Sequence, residues 1–467
     1  MTGFSTFNTA NTGLTAAQRA LDATSQNIVN ANTPGYSRQR VTLESVGMPV
    51  TASLHSGVNA VIGGVSVSDV SRIRDSFLEA TRAAAGARQA AITAQTDVLT
   101  GAQQLLAEPG DNGLQSTLDS FYSSWQQVSL TPSDTAAGAV VIQRGLAVAQ
   151  QLSSVSNGMA AQWTTSRNTL DNLVARTNQA SSDLAKLNES ITEGQMSGKP
   201  VNELLDTRDT LVRQLATLVG GQSSVDDNGV MSVSANGVNL VAGNHWNAVT
   251  LIGANDISTV ATDLPTLKVG ALTIPVDSGQ AAGLLATLRT DLPSLSAAVD
   301  TVATRLITAV NTIYSTGYAP DGSTGNAFFS GTDAKTIAVV PTDGSTLAAA
   351  GASNALDGDV ARLVGDLADD AHAKDTLGGI DGPSVEWRQL TTSLGVQVQS
   401  LQTAQSVQDS VVSASEGAVQ SDAGVNLDEE MTNMMLYQRS YQASARVITT
   451  ADELLDTLIN RTGRVGL

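Results

Sequence analysis

Two amphipathic helices at opposite ends of the chain constrain its fold most. In residues 5–31 and again in residues 427–460, apolar side chains recur at steps of three and four, which is typical of a helix with one buried face. The two stripes consist of Leu14, Ala17, Leu21, Thr24 and Ile28 at one end, and of Leu427, Met431, Met434, Gln438, Tyr441, Ala445, Ile448, Leu455 and Ile459 at the other. A helix gains most of its stability by packing such a face. We therefore expect the two helices to pair.

This pair alone would leave apolar side chains uncovered. The side chains that we expect on its outer surface are Val29, Met435, Leu436 and Tyr437. The sequence therefore predicts that the pair packs against the same pair in neighbouring copies. The alternative is that both helices simply cap the core of one domain.

Composition excludes several classes of function. The 467 residues include no cysteine and carry a formal net charge of −19, without a basic stripe that could bind phosphates. Disulfides, thiolate catalysis and nucleic-acid binding are therefore not expected. No apolar run of about 18 residues occurs, so no membrane insertion is predicted, and the first residues do not look like a cleavable signal peptide.

Helical and extended patterns alternate along the rest of the chain. Residues 39–68 are Val- and Thr-rich and suggest a hairpin, whereas residues 222–276 alternate Val-rich runs with turn signals such as Asn236-Gly237. Asn202 is positioned to cap the helix that follows it. Helical periodicity covers residues 69–107, 114–125, 203–219, 280–316 and 384–422. The longest heptad run is Met159, Trp163, Leu170, Leu173, Thr177, Ala180, Leu184, Leu187 and Ile191.

These patterns predict a mainly α fold with some β structure. We expect a discontinuous α-helical coiled-coil or bundle rod formed by both halves of the chain, with a small inserted antiparallel β domain. The predicted domains are a terminal-helix inner-tube domain of residues 1–38 plus 424–467, a helical rod of residues 39–221 plus 278–423, and a small outer β domain of residues 222–277.

The sequence offers little for catalysis or cofactor binding. His55, His245 and His372 lie far apart, and none has the spacing of a metal-binding pair. The glycines before Lys199 have the wrong spacing for a phosphate loop, and the segment 321–326 lacks the order of a calcium loop, so a linker and a turn are the better interpretations. We predict no metal, no cofactor and no enzymatic activity.

Motifs in both terminal regions resemble those of a known family. Residues 30–39, with Leu14, Leu21 and Asn27 upstream, are similar to the N-terminal signature of the flagellar rod, hook and hook-associated axial proteins, and residues 424–460 resemble its C-terminal signature. Internal stretches narrow the likeness to a hook–filament junction member. They are residues 113–125, residues 202–209, Val310-Asn311 with Gly317 and Phe328-Phe329, and residues 425–441.

The resemblance implies a structural subunit of the bacterial flagellum that forms a homo-oligomeric ring at the distal end of the hook and joins hook to filament. Expected partners are the flagellar hook protein below, the second junction protein (hook-associated protein 3) above, and a cytoplasmic export chaperone on the C-terminal helix. The protein would be cytoplasmic before type III export, and then secreted to the hook–filament junction. The terminal helices would form the inner tube.

The residues expected at the assembly interface are those of the terminal helices and of the N-terminal motif. They are Leu14, Leu21, Asn27, Ile28, Asn30, Asn32, Thr33, Pro34, Gly35, Tyr36, Leu427, Met431, Met434, Tyr437, Gln438, Tyr441, Ile448, Leu455 and Ile459. Two other hypotheses remain open. One is the hook protein itself or another axial rod component, and the other is an enzyme on a flagellar scaffold that uses Asp226, Asp227 or Asp256.

Overall fold

The computed structural model describes residues 2–46, 63–226, 229–355 and 357–457. Helices dominate these ranges. They are α1 (Thr2–Val29), α2 (Ser76–Leu106), α3 (Leu114–Leu130), α4 (Thr135–Met196), α5 (Asn202–Val219), α6 (Gln280–Ala286), α7 (Leu292–Tyr314), α8 (Asp359–Asp366), α9 (Asp370–Thr376), α10 (Pro383–Ala423) and α11 (Leu427–Asp456). A π turn at Thr287–Asp291 joins α6 to α7, so these two form one long helix with a local widening.

The strands form small antiparallel sheets. They are β1 (Gln39–Ser45), β2 (Val65–Arg72), β3 (Gln222–Val225), β4 (Met231–Ala235), β5 (Val238–Ala242), β6 (His245–Trp246), β7 (Val249–Ile252), β8 (Thr266–Val269), β9 (Leu272–Thr273), β10 (Phe329–Ser330) and β11 (Ala338–Val339). Strands β1 and β2 pair, β3 to β6 form a four-stranded sheet, β7 to β9 a three-stranded sheet, and β10 pairs with β11. The prediction of a mainly α fold with a small inserted antiparallel β region is confirmed.

One hairpin of the insertion follows directly from its sequence. Ala235 pairs with Val238, so only Asn236 and Gly237 connect β4 to β5. Both residues have positive φ, 44° and 82°, as a two-residue hairpin turn with the native strand twist requires. The Asn-Gly turn signal is thus confirmed.

The heptad run lies in α4, which is longer than the run predicted. Its N-terminus is capped at Asp134, whose carboxylate accepts a hydrogen bond from the amide of Ala136 at 2.9 Å. The buried face includes most of the predicted stripe, but helices cover only part of it. Farther along, Asn178 exchanges two hydrogen bonds with the backbone of Val249, and Asn188 donates to the carbonyl of Met231. The inserted sheets therefore take the place of a helical partner there, which heptad spacing alone does not reveal.

The start of α2 differs from the prediction. Residues 69–72 belong to β2, where Val70 pairs with Val41, and the amide of Ile73 donates to the carbonyl of Arg38 at 2.8 Å. The helix begins only at Ser76, because the Asp75 carboxylate accepts from the next two free amides. Residues 69–72 therefore follow the period-two alternation of a strand, and the helical spacing that begins at Ile73 does not determine where the helix starts.

An aromatic core joins α3, α4 and α7. Phe328 packs against Phe121 and Trp125, with ring centroids 5.6 Å and 5.3 Å apart. Asn311 fixes this arrangement, because its side chain accepts from the amides of Phe328 and Phe329 and donates to a carbonyl. Two of the internal sequence stretches thus meet in one cluster.

Helix α10 returns the chain to its starting end. It runs antiparallel to α2, because Gln405 contacts Thr93 and Gln408 contacts Ala85 farther along. Its last turn reaches the hairpin β1–β2, where Asp422 lines a cleft with Arg40. Helix α11 therefore starts beside the end of α1.

Candidate assembly site at the terminal helices

Helices α1 and α11 pack against each other in antiparallel orientation. Near one end, Asn27 contacts Glu430, and farther along Gly13 faces Ser444 so closely that a Cβ at Gly13 would lie 3.0 Å from the Ser444 hydroxyl oxygen. The sequence predicted this pairing, and the structure confirms it. We call these two helices the terminal pair.

The seam of the terminal pair is built from small side chains, of which only Ala17 and Thr24 belong to the predicted stripe. The buried residues of α1 are Ala10, Ala16, Ala17, Ala20, Ala23, Thr24 and Asn27. Leu14, Leu21 and Ile28 of the predicted stripe are only half-buried. Helix α1 packs on α11 and also on the hairpin β1–β2. Its covered face therefore lies between these two contacts, and the residues on that face are mainly alanines.

On α11, the large apolar side chains lie mainly outside the seam. Leu427 and Met431 are 48% and 52% exposed, Leu436 is 59% exposed, and Leu454 is 61% exposed. Leu427, Met431 and Met435 follow one another at steps of four, whereas Leu436, Val447 and Leu454 are spaced by eleven and seven. The helical period places these two groups on opposite sides of the seam. We call them the first and second outer stripes.

The predicted interface residues therefore do not form one face. Asn27 is buried, and the exposed ones are Asn32, Thr33, Pro34, Leu427, Met431, Gln438 and Tyr441. The half-buried ones are Leu14, Leu21, Ile28, Asn30, Gly35, Tyr36, Met434, Tyr437, Ile448 and Leu455. Ile459 lies outside the described residues.

Asn27 forms a hydrogen-bond hub inside the chain. Its amide nitrogen donates to the Gln39 carbonyl at 2.9 Å and to Glu430 Oε2 at 3.1 Å. Its amide oxygen accepts from the Tyr36 hydroxyl at 2.8 Å and from the Gln39 amide at 2.9 Å. All four bonds are internal, so the structure gives Asn27 a role in holding the end of α1 against the hairpin and α11.

Glu430 is buried in the terminal pair but is neutralised by an arginine. Only 2% of the residue is exposed, and Arg38 Nε lies 2.7 Å from its Oε1. A second contact of Arg38, to Glu429 at 3.1 Å, is more exposed. The ion pair with Arg38 was missed.

The turn after α1 rests on α5. Gly35 has a φ of +86°, and a Cβ there would lie 2.9 Å from the hydroxyl oxygen of Thr210. Only glycine combines that backbone conformation with such a close approach. Next to it, burial together with the charges of Asp206, Glu430 and Glu203 raises the pKa of Tyr36 to about 12. The phenol thus stays a neutral hydrogen-bond donor to Asn27.

The first two turns of α5 hold the hairpin. Asn202 was predicted to cap this helix, but its side chain instead donates to the carbonyl of Val70 at 2.8 Å. Arg72 Nη1 lies 2.7 Å from Asp206 and 2.8 Å from Asp209. These arginines were missed. The sequence did carry a signal for these ion pairs, because a chain with only 25 basic residues places four arginines in the segments 38–40 and 72–74.

The residues considered for chemistry lie apart from this site. Asp256 caps a short turn through the amide of Ser258, and Asp226 accepts a hydrogen bond from the amide of Val230 within a turn. Asp227 and His55 lie outside the described residues. Across the part of the chain that is described, no three His, Asp or Glu side chains gather where a metal could bind. Nor does any helix in those ranges combine the length and apolar character needed to cross a membrane.

Family models match three parts of the chain. The model of the flagellar hook-associated protein FlgK helical domain matches residues 99–329. The models of the flagella basal body rod protein and of the flagellar basal body rod FlgEFG protein C-terminal match residues 7–36 and 416–461. The matches thus include both terminal helices, and the first is specific to hook-associated proteins.

Relatives align over nearly the whole chain. Flagellar hook-associated protein 1 of Bacillus subtilis is 28% identical, over 98% of this chain and 98% of its own. The proteins of that name from Salmonella typhimurium and Escherichia coli are 26% and 25% identical, each over 98% of this chain and 99% of its own. The solved flagellar hook junction protein FlgK from Burkholderia pseudomallei superposes with a TM-score of 0.47 at 21% identity, over 55% of this chain and 46% of that one. On the family models and the full-length relatives, the chain is similar to flagellar hook-associated protein 1 along nearly its whole length.

Proposed function

We infer from this similarity that the chain is a structural subunit of the bacterial flagellum that joins the hook to the filament. The relatives are structural proteins of the flagellum. The observation that carries the inference is the terminal pair, whose internal seam uses alanines while its large apolar side chains stay outside. Apolar surface of this kind on a protein indicates a site of association.

The two outer stripes support assembly around an axis. They lie on opposite sides of the seam, so one subunit can contact two neighbours through different surfaces. Packing of unlike surfaces gives a ring or a helix. We propose that the homo-oligomer is a ring at the distal end of the hook, with the hook protein below and hook-associated protein 3 above. Burial of a Leu or Met side chain contributes roughly 1.5–3 kcal/mol when complete.

The same surfaces explain why a chaperone would be needed before export. In the free chain the stripes would associate prematurely, so a cytoplasmic export chaperone on α11 is part of the proposal. Within the assembled subunit, residues 1–38 plus 424–467 would form the inner tube. Residues 39–221 plus 278–423 would form the rod around it, and residues 222–277 would face outward.

A complementation experiment tests this function. The host is a flagellated bacterium from which the gene of its own junction protein has been deleted. It receives the chain with Leu436→Glu and Leu454→Glu, which put two charges on the second outer stripe. We expect filament protein to be shed into the medium while hooks persist in electron micrographs. Removal of residues 427–467 should do the same. The control is Thr432→Glu, which adds a charge on the face that already carries Asp428 and Arg439.

The readout separates assembly from export. The variant protein itself is measured in the medium, so that a chain lost before secretion is recognised. Intact filaments on cells with the double variant would contradict the proposed role of the stripe, and intact filaments on cells with the truncated chain would contradict the junction function.

A further inference from the structure

The sulfur atoms of this chain belong to methionines alone. The sequence contains eight methionines and no cysteine. Apart from Met1 and Met48, all of them lie in the described residues. In a chain without thiolates, the thioether of methionine is the sulfur group that peroxides oxidise, and its exposure governs its susceptibility. The position of each thioether in the fold therefore determines what oxidation does to the molecule.

The described methionines differ sharply in exposure. Met159 and Met231 lie in the core and are 0% and 2% exposed. Met196, the last residue of α4, is 85% exposed, and Met431 and Met435 of α11 are each 52% exposed. Peroxide in solution can therefore reach the last three thioethers directly, while the first two are shielded by the packing around them.

The accessible methionines of α11 lie on the first outer stripe. Met431 and Met435 are about one helical turn apart, and Leu427 is the third member of that stripe. The neighbouring Met434 is half-buried. The second outer stripe consists of Leu and Val side chains and contains no sulfur. Oxidation of α11 therefore changes one of the two outer stripes and leaves the other as it is.

We propose that Met431 and Met435 are sites of reversible oxidation by peroxide, and that their sulfoxides disable the first outer stripe for association. In this step the lone pair of the sulfur attacks one oxygen of hydrogen peroxide. An S–O bond forms, the O–O bond breaks, and sulfur gives up two electrons to the peroxide. The second oxygen takes the proton of the first and leaves as water, so that hydrogen peroxide is the only co-reactant.

The effect on association follows from the polarity of the sulfoxide. Its oxygen is a hydrogen-bond acceptor, and burying it against an apolar neighbour without a donor costs free energy. The apolar burial of the side chain is lost as well, so each sulfoxide weakens association by about tenfold or more. In turn, a stripe already buried against a neighbour is shielded from peroxide. This consequence rests on the proposed function, whereas the modification itself is a property of the single chain.

The modification is tested on the purified full-length chain. The chain is treated briefly with hydrogen peroxide, and the sulfoxide at each methionine is quantified over time by peptide mass spectrometry. We expect Met431, Met435 and Met196 to be oxidised at least about tenfold faster than Met159 and Met231, which serve as internal controls. Methionine sulfoxide reductases for both sulfoxide epimers should then restore the thioethers.

Binding to hooks measures the consequence for assembly. Hooks without filaments are isolated from the bacterium that encodes this chain after deletion of its gene, and the purified chain is sedimented with them. We expect peroxide to weaken binding of the wild-type chain by about a hundredfold, and reductase treatment to restore it. In a variant with Met431→Leu and Met435→Leu, which keeps the stripe apolar without sulfur, peroxide should leave binding unchanged. The matched control Met196→Leu should lose binding as the wild type does.

The modification and its consequence can fail separately. Oxidation of Met431 and Met435 as slow as that of the buried methionines would refute the sites. Undiminished binding of a chain that carries both sulfoxides would refute the effect on the stripe, and so would an equal loss of binding in the double leucine variant. If the untreated chain does not bind hooks, the junction function is wrong and the effect on assembly falls with it, while mass spectrometry still decides whether the two sites exist.

Discussion

Substitution of Asn27 by alanine is the sharpest test of how the terminal pair is held. Four hydrogen bonds end on this side chain, and their partners include a buried carboxylate of Glu430 and both backbone groups of Gln39. Each buried group left without a partner costs about 1–3 kcal/mol, and bonds to a charged group lie at the upper end. Because the partners share one site and can relax, the costs do not add fully. We expect a loss of about 3 kcal/mol.

This loss should affect local opening of the terminal pair and spare the rod. Amide hydrogen exchange resolves the two, because local opening is measured peptide by peptide. A change of 3 kcal/mol corresponds to about 100-fold faster exchange in the last turns of α1 and the first turns of α11. Exchange in α4 should stay the same. The control is Asn157→Ala, which removes an exposed amide that reaches only Ser153. Unchanged exchange in α1 and α11 of the Asn27 variant would refute the reasoning.

Further substitutions test other parts of the structure. The pKa of Tyr36 is raised to about 12 from 10 for an unperturbed phenol, so the neutral phenol stabilises the terminal pair fully below pH 10, and this contribution is lost as the pH rises to 12. The free energy of opening of α1, obtained from exchange rates corrected for their intrinsic base catalysis, should fall in that window, and Tyr36→Phe should remove this fall. Trp163→Phe removes the donor that binds a carbonyl of the π turn at 2.9 Å, and chemical denaturation should show a loss of about 1–3 kcal/mol, while the half-exposed Trp246→Phe stays near wild type. Gly145→Ala places a Cβ 2.8 Å from an aromatic ring of the core, so it should lower the free energy of unfolding by about 1–3 kcal/mol and with it the melting temperature. At Gly86 a Cβ would enter open space, so Gly86→Ala should raise the free energy of unfolding by up to about 1 kcal/mol. Equal melting temperatures for the two glycine variants would contradict this account of the core.

The sequence was sufficient to predict the helices and the β insertion, because both depend on local signals. Helical spacing identified α10 and α11 almost to their ends, and Asn236-Gly237 identified a hairpin by the conformation that these residues favour. The start of α2 was wrong because Ile73 continues both a strand and a helical pattern. Only the capping carboxylate of Asp75 decides between them.

The contacts of the candidate site were largely beyond prediction, because they join distant residues. Periodicity favours large apolar side chains as the buried face, and it therefore identified only Ala17 and Thr24 of a small-residue seam that is buried between α11 and the hairpin. It also gave no reason to place Arg38 beside Glu430, which are almost four hundred residues apart in the chain. Whether the exposed members of the predicted interface contact other subunits stays a prediction.

The alanine seam and the polar hub together explain why the terminal pair is suited to completion by its neighbours. Small side chains let α1 and α11 approach closely, but they bury little apolar surface per residue, so the seam alone contributes modest stability. The directional contacts of Asn27 and Glu430 lie at the end next to the rod. At the other end, Ala10 and Ala451 are buried. The pair is thus oriented at its base, while the outer stripes retain the larger side chains. Contact with neighbouring copies along those stripes would then add the apolar burial that the seam does not supply, so that the terminal pair becomes most stable in the assembled state.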